Sequence, residues 1–352
     1  MTDRRLRVAI VGASGYTGAE LVRLLTGHPT AEVVALTADR KAGQGLGAVF
    51  PHLAAAADVH RLPTLTDVAG VAWDGVDAAF CGLPHGTTQE VVAAIPSSVR
   101  VIDLSADFRL SDTDAYAAWY GQPHRAPALQ KQAVYGLTEL ARDRIAAARL
   151  IACPGCYPTS ALLPLVPLVK AGRIDPADII IDSKSGVSGA GRALKEASLF
   201  AEVAEGVHAY GLANHRHLSE LEQELGAAAG RDVRVTFTPH LIPMNRGILS
   251  TIYVRPTGGA GAGDLRRHLA DRYAGEPFVR VLPEGQVPAT RHVRGSNHCL
   301  IGVVDDRVPG RVIILSVIDN LVKGAAGQAV QNFNVAFGMP ESAGLTQPPL
   351  FP

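Results

Sequence analysis

Two cysteines stand at C-x-x-C spacing in Ile151-Ala152-Cys153-Pro154-Gly155-Cys156-Tyr157-Pro158-Thr159. Such a pair admits a dithiol–disulfide couple, half of a zinc site, or one nucleophilic thiolate beside a structural neighbour. The other two cysteines, Cys81 and Cys299, stand alone, which leaves only His215 and His217 as conceivable further ligands, and no metal site is expected. Leu150–Cys153 reads as a short apolar strand, Pro154-Gly155 as a turn, and Tyr157-Pro158-Thr159-Ser160 as the opening of a helix, where proline is tolerated. A thiol at a helix N-terminus feels the positive end of the helix dipole and ionises more readily. Cys156 occupies that position, whereas Cys153 belongs to the strand and reads as a buried structural thiol. A redox couple also begins a helix, so the rest of the chain has to decide.

Other stretches carry polar or glycine-rich chemistry. Val8-Ala9-Ile10-Val11-Gly12-Ala13-Ser14-Gly15-Tyr16-Thr17-Gly18 is a strand, a tight turn and a helix start. Gly12 permits the turn, Gly15 allows a pyrophosphate to approach the backbone, and Gly18 lets the helix pack on the sheet. The spacing is G-x-x-G-x-x-G rather than G-x-G-x-x-G, so a turn that binds nothing is the competing reading. After the second strand comes Thr37-Ala38-Asp39-Arg40-Lys41. Asp39 would favour a free ribose hydroxyl and Arg40 with Lys41 a 2′-phosphate; two cations against one anion point to NADP(H), with Thr37 a further phosphate donor. A nicotinamide site gives a thiolate a hydride chemistry to serve, which favours the nucleophile over the redox couple.

His215-Arg216-His217 precedes the amphipathic stretch Leu218-Ser219-Glu220-Leu221-Glu222. A histidine titrating near neutrality can take a thiol proton and return it to a leaving oxygen. His217 is favoured for that role with His215 beside it, Glu220 or Glu222 being candidates to orient it. Arg109 follows the strand Val99–Leu104 at its carboxyl edge and is placed to hold a carboxylate bidentately, or to pair with Asp107 or Asp112 on the surface. Ser185–Gly191 is a second glycine-rich stretch, flanked by Lys184, Arg192 and Lys195, whose backbone N–H groups suit a phosphate.

These side chains need elements to hold them. Leu6–Val11, Glu32–Leu36, Asp77–Cys81, Val99–Leu104 and Leu150–Cys153 read as strands, with helices over Gly15–Thr26 and Thr88–Ala94. That alternation predicts a mostly parallel sheet covered on both faces. Further on, strands are expected at Asp178–Asp182, Val233–Thr238, Ile248–Val254, Phe278–Leu282, Leu300–Val304 and Val312–Val317, with helices at Leu218–Leu225 and Asp264–Tyr273 and a final helix over Asn320–Phe337. Long strands with few helices predict a mixed or antiparallel sheet with helices on one face. The fold class is therefore α/β: a Rossmann-type dinucleotide-binding domain over residues 1–155, joined by the C-terminal helix 320–352, and an α+β catalytic domain with a mixed or antiparallel sheet over residues 156–319.

The chain is 352 residues long, 47% hydrophobic and 19% charged, with a formal net charge of +0. This length supports two cores, and the neutral balance argues against a nucleic-acid partner or an acidic membrane surface. Met1-Thr2-Asp3-Arg4-Arg5 carries no apolar signal core, and the longest apolar run, Ala161 to Val169, contains Pro164 and Pro167 and is too short for a bilayer. A cytoplasmic protein is the expectation.

The ordered set Gly12–Gly18, Leu83-Pro84-His85-Gly86, Asp103–Arg109, Pro154–Thr159, Ser185–Arg192 and His215–His217 resembles the N-acetyl-gamma-glutamyl-phosphate reductase family over nearly the whole chain. Ser160 and Pro164 depart mildly from it, standing where smaller residues are expected. The resemblance implies an NADPH-dependent enzyme of arginine biosynthesis, related to aspartate-semialdehyde dehydrogenase, in which Cys156 forms a thioester with an acyl phosphate. It implies that Arg109, Tyr210, Ser185 and Arg192 line the substrate site. The cofactor would be held by Gly12, Ser14, Gly15, Tyr16, Thr17, Gly18, Thr37 and Arg40, by Leu83, Pro84 and His85, and by Ser188, Gly189 and Asn320, with Lys323 nearby. The expected partners are N-acetylglutamyl phosphate, N-acetylglutamate semialdehyde, phosphate and further copies of the chain, as a dimer or tetramer. Homologous acyl phosphates differing by a methylene are not separated by pattern alone.

Overall fold

The computed structural model describes residues 4–54 and 61–351, so the expectation about Met1-Thr2-Asp3 lies outside the described residues. The chain divides into two compact units, Met1–Pro154 with Ala325–Thr346, and Gly155–Gly324 with Gln347–Pro352. The division falls between Cys153 and Cys156.

In the first unit, β1 (Leu6–Val11), β2 (Ala31–Leu36), β3 (Ala78–Cys81), β4 (Arg100–Asp103), β5 (Ala133–Tyr135) and β6 (Leu150–Ala152) form one sheet in the order β2-β1-β3-β4-β6-β5. Every pair is parallel. Val8–Val11 and all of β3 are buried, as unbroken apolar strands covered on both faces must be. The strand order reverses at β1, and the Gly12 turn and the Leu83 loop leave the carboxyl ends of β1 and β3, where such sheets bind ligands.

Among the described elements of this unit, helices Thr113–Tyr120 and Thr138–Ala147 and strand β5 are three without a counterpart in the sequence reading. Helix Thr113–Tyr120 is bounded by Asp112, whose side chain accepts the Asp114 N–H at 2.8 Å, and by Gly121 at φ +72°. It buries only Tyr116, so no apolar period announces it. Helix Thr138–Ala147 packs against Gly327–Ala336 through buried polar groups: Asn332 bonds Thr138 and the Gly136 carbonyl, and Gln331 donates to Glu139 at 3.0 Å. β5 is only three residues long.

The final helix is not continuous over Asn320–Phe337. The Asp319 carboxylate accepts the N–H groups of Leu321 and Val322, the Gly324 N–H reaches back five residues to the Asp319 carbonyl at 2.9 Å, and Val322–Ala326 forms a π-turn. An α-helix follows only at Gly327–Ala336. Such turns recur at functional sites.

In the second unit, β7 (Ile174–Gly186), β8 (His208–Ala209), β9 (Thr236–Ile242), β10 (Ile248–Pro256), β11 (Val279–Val281), β12 (Cys299–Asp305) and β13 (Val312–Ile318) form a mixed sheet, β11-β12-β13-β10-β7-β9-β8. β7/β9 and β11/β12 are parallel and the rest antiparallel. Ile179, Ile181, Ser183 and Ser185 are buried while Ile180, Asp182 and Lys184 are half-buried, the alternation of a sheet covered on one face. β7 runs much further than Asp178–Asp182, so Ser185 and Gly186 are strand residues, and the loop begins with the short 3-10 turn Val187–Ala190.

Helix Cys156–Lys170 packs on β7, β10 and β13 and on helix His217–Ala229. It passes through Pro164 and Pro167 without ending. Pro167 cannot donate to the Leu163 carbonyl, and the Tyr273 hydroxyl of helix Ala262–Tyr273 does so instead at 2.5 Å. Tertiary packing thus supplies a bond that the helix lacks. Among the described residues, no helix is long and apolar enough to cross a membrane.

Candidate active site

Cys156 is the first residue of its helix, with Gly155 as N-cap at φ −64°, ψ 155°, and is half-buried. The cap has no side chain of its own; instead the Gly155 N–H donates to Glu220 Oε2 at 2.9 Å, and Glu220 is fully buried. His217 opens helix His217–Ala229 rather than preceding it. Its ring lies over the Gly155 Cα, where an added Cβ would stand 2.4 Å from Nε2. The same Nε2 is 3.8 Å from Glu220 Oε1, three residues along the helix. On the other flank an added Cβ on Gly324 would stand 2.8 Å from the Cys156 Cβ, so two glycines let an imidazole and the π-turn close on the thiol. Glu222 instead pairs with Arg234.

The two histidines are held differently. His215 Nδ1 accepts the His217 backbone N–H at 3.1 Å and so carries no proton on that nitrogen. Tyr157, Tyr210 and Phe237 stand edge-on to the His215 ring, with centroids 5.6, 5.3 and 5.4 Å away. Burial, with Arg216 adding to it, pulls the His215 pKa down to about 4. It is a neutral residue that props the start of the helix. Tyr157 and Tyr210 share a hydrogen bond of 3.0 Å. Burial raises both phenols, Tyr210 to about 12, and negative charge on Cys156 adds to the rise. The Cys156 sulfur therefore lies near both phenols.

Ser185 is buried, its hydroxyl 3.0 Å from the Gly186 carbonyl. Ser188 is half-buried, and Gly189 and Arg192 are exposed. Asn320 is buried; it accepts the Gly247 N–H at 2.7 Å and donates to Ser188 Oγ at 2.9 Å, tying the Val187–Ala190 turn down. Lys323 is fully buried, its ammonium 6.0 Å from the Phe278 ring centroid.

In the first unit Cys153 is buried, and burial pushes its pKa up to about 12, so it remains a thiol. Arg109 donates from Nε to the Cys153 carbonyl at 2.8 Å and from Nη2 to the Leu104 carbonyl at 2.9 Å. It anchors the end of β6, and it is buried rather than on the surface. Asp107 is buried and accepts from Gly86 N–H, Thr88 N–H and the Tyr116 hydroxyl. His85 Nδ1 accepts the Ala106 N–H at 3.0 Å, so the Leu83-Pro84-His85 loop is pinned to the Asp103–Arg109 loop.

Gly12 has φ +91°, and a Cβ there would meet the Gly82 carbonyl at 2.7 Å; at Gly18 it would meet Ala13 and Gly12 backbone at 2.6 Å. Both glycines are demanded by the protein itself. At Gly15, by contrast, a Cβ would meet only Gly12 O, at 3.8 Å. This glycine leaves open space at the N-terminus of helix Tyr16–Thr26, which has no side-chain cap and no acidic residue in its first turn. That free, positively polarised cradle fits a dinucleotide pyrophosphate. Ser14 and Thr17 are half-buried beside it, Tyr16 is exposed, and Arg40 and Lys41 lie exposed after β2. Thr37 is buried and its Oγ1 accepts the Gly12 N–H at 3.1 Å, so it holds the turn.

The sequence reading did not single out Gly155 or Gly324, and left Glu220 level with Glu222. The spacing His217-x-x-Glu220 was visible, but which acidic residue faces inward depends on the packing of helix on helix.

Residues 7–148 match the NAD binding domain of semialdehyde dehydrogenase, and residues 156–320 match the semialdehyde dehydrogenase dimerisation domain. The chain is 61% identical over 355 residues to N-acetyl-gamma-glutamyl-phosphate reductase of Rhodospirillum rubrum, covering 99% of this chain and 100% of that one. It is 57% identical over 351 residues to the probable chloroplastic N-acetyl-gamma-glutamyl-phosphate reductase of Oryza sativa subsp. japonica, covering 100% of this chain and 84% of the other. In fold it resembles aspartate semialdehyde dehydrogenase II of Vibrio cholerae complexed with ASA, at TM-score 0.72 and 19% identity over 96% of this chain and 99% of that one. It also resembles aspartate semialdehyde dehydrogenase with NADP of Candida albicans, at TM-score 0.67 and 16% identity over 94% and 98%. With a half-buried cysteine at a helix N-terminus, a histidine over its cap and near-full-length identity to named reductases, the chain belongs to the N-acetyl-gamma-glutamyl-phosphate reductase family of oxidoreductases.

Proposed function

We propose that the chain reduces N-acetyl-L-glutamyl 5-phosphate to N-acetyl-L-glutamate 5-semialdehyde with release of phosphate, in arginine biosynthesis, through a thioester on Cys156. The observation that carries this reading is the placement of Cys156 at a helix N-terminus whose cap is covered by His217 and bonded to buried Glu220. The Cys156 thiolate attacks the acyl carbon; a C–S bond forms, the bond to the phosphate oxygen breaks, and phosphate leaves. NADPH, when bound, supplies the hydride that reduces the thioester carbonyl. His217 Nε2 takes the thiol proton before attack and returns it to the departing phosphate oxygen; after hydride addition the tetrahedral oxyanion reforms the carbonyl as the C–S bond breaks and the thiolate is restored. Glu220 favours the protonated imidazole between these events and holds the cap of the nucleophile's helix. His215, kept neutral, sets the start of the His217 helix. Arg109, Tyr210, Ser185 and Arg192 are assigned to the substrate. Gly12, Ser14, Gly15, Tyr16, Thr17, Gly18, Thr37 and Arg40 are assigned to the cofactor, as are Leu83, Pro84, His85, Ser188, Gly189 and Asn320. Arg40 with Lys41 supports a 2′-phosphate, hence NADP(H).

Phosphate-dependent reduction of NADP by N-acetylglutamate semialdehyde, run beside aspartate semialdehyde, tests the assignment. Turnover with the acetylated substrate alone is expected; preference for aspartate semialdehyde would overturn it. The match to a dimerisation domain and the half-buried sheet face carrying Ile180, Leu249, Tyr253 and Ile313 support a homo-oligomer. A monomer mass by light scattering at micromolar concentration would remove that part.

A further inference from the structure

Beneath the first turns of helix Cys156–Lys170 lies a cluster of hydroxyls that the mechanism does not use. Ser183 on β7, Ser250 on β10 and Ser316 on β13 are fully buried and stand in one row across the sheet, Ser250 being directly opposite each of the other two. Ser183 Oγ and Ser250 Oγ are 2.8 Å apart. Ser160, also fully buried, reaches down from the helix to within 3.0 Å of Ser250 Oγ, 3.3 Å of Ser316 Oγ and 3.4 Å of the Ser316 carbonyl. Cys299 Sγ, on β12, lies 3.5 Å from Ser316 Oγ.

The cluster is tied to the nucleophile at two points. Ser160 is four residues after Cys156, and residues so spaced share one helix face. Ser316 is near the end of β13, the strand that leads through Asp319 into the π-turn and places Gly324 against the Cys156 Cβ. An apolar contact between helix and sheet tolerates sliding by a fraction of an ångström, whereas hydroxyls bonded in a row accept one depth and one rotation. The neighbouring Thr159 spends its hydroxyl on the Gly155 carbonyl within its own helix, at 3.0 Å, which shows the local alternative that Ser160 does not take.

We infer that Ser160 is a positioning residue: through the Ser183–Ser250–Ser316 row it fixes how deeply the Cys156 helix sits on the sheet, and thereby where the thiolate meets His217 and Gly324. The inference rests on Cys156 being the nucleophile. Iodoacetamide labelling of the wild-type protein checks that premise separately, since labelling of Cys156 must abolish turnover; if it does not, the nucleophile reading fails, whatever Ser160 does.

The test uses the full-length Ser160→Ala and Ser250→Ala proteins, which break the row from the helix and from the sheet. Each is assayed for kcat, for KM toward N-acetylglutamate semialdehyde and NADP, and for the pH dependence of Cys156 alkylation. A drop in kcat of roughly tenfold is expected in both, with KM for NADP unchanged and the alkylation midpoint displaced to higher pH. A purely structural role would lower the melting temperature and leave the alkylation midpoint in place, and that result would overturn the inference. Should one variant not fold, the other decides, and Ser316→Ala provides the third break in the same row.

Discussion

Two helices in this molecule begin in the same way and for opposite ends. Tyr16–Thr26 and Cys156–Lys170 each follow a strand and a tight turn, and each has a glycine N-cap in extended conformation with no side-chain cap. Over Gly15 the space is open, while over Gly155 an imidazole sits where a Cβ would go and a buried carboxylate takes the cap N–H. The positive end of a helix dipole favours an anion at both. In the first unit the space suits an anion that arrives from solution; in the second, on the proposed mechanism, the anion is the chain's own thiolate, and an imidazole and a carboxylate occupy the space. A glycine kept by the protein's own crowding and a glycine kept for a ligand look alike in sequence and differ in what surrounds them.

The largest expected effect comes from removing the chain's own anion. Cys156→Ser should lower turnover by roughly 10⁴-fold or more while NADP titration is unchanged, and Cys153→Ser should stay active. Equal loss in both variants, with a Cys153–Cys156 disulfide formed in turnover, would return the pair to redox chemistry. His217→Asn should cost about a hundredfold in kcat and slow alkylation of Cys156 at neutral pH, with a smaller loss in His215→Asn. An unchanged pH–rate profile in His217→Asn would move the proton to another group.

The comparison of caps is sharpened by making the same substitution twice. Gly155→Ala drives a methyl into the His217 ring and should lower kcat by roughly tenfold to a hundredfold with cofactor affinity retained. Gly15→Ala meets no protein atom closer than 3.8 Å, so it should fold normally and lose NADP affinity instead. If Gly15→Ala binds NADP as wild type, the open cradle is not the pyrophosphate site. Replacing Arg40 and Lys41 by Ala should raise the apparent constant for NADPH about tenfold and leave that for NADH nearly unchanged. A wild-type preference for NADH would make Asp39 the reader of the ribose.

The smallest effects are on stability, and the two units should respond to pH with opposite sign. Burial lowers the His215 pKa from 6.5 to about 4, so the unfolded chain takes up that proton first. Stability is fully present above pH 6.5 and falls as pH drops toward 4. Asp103 is raised by burial from 3.8 to about 7, so the folded chain holds that proton longer, and stability falls as pH rises from 3.8 toward 7. Urea midpoints measured from pH 4 to 8 should lose the first slope in His215→Asn and the second in Asp103→Asn. Slopes that survive both substitutions would place the linkage elsewhere.

Much of this was legible in the chain before any fold was known. The unbroken apolar runs of β1 and β3 fix a parallel sheet covered on both faces, the Gly12–Gly18 turn fixes the ligand edge, and Cys156 after Pro-Gly marks the helix start. These are local properties, set by side-chain period, by the steric freedom of glycine and by the dipole of one helix. What the chain alone left open depends on which faces meet. Glu220 and Glu222 are equivalent along the sequence, and only the packing of helix His217–Ala229 on helix Cys156–Lys170 turns the first toward Gly155. Arg109 read equally as a carboxylate binder or a surface ion pair, and the fold spends its Nε on the Cys153 carbonyl. The final helix gave no sign of its π-turn, because Asp319 must first be brought to cap it and Gly324 pressed against Cys156. Pro167 should end a helix, and it does not, because Tyr273 arrives from more than a hundred residues away to bond the carbonyl that proline leaves without a donor. Local chemistry chose the elements; the contacts between them chose which polar groups face the thiol, since a buried donor or acceptor must find its partner wherever the fold provides one.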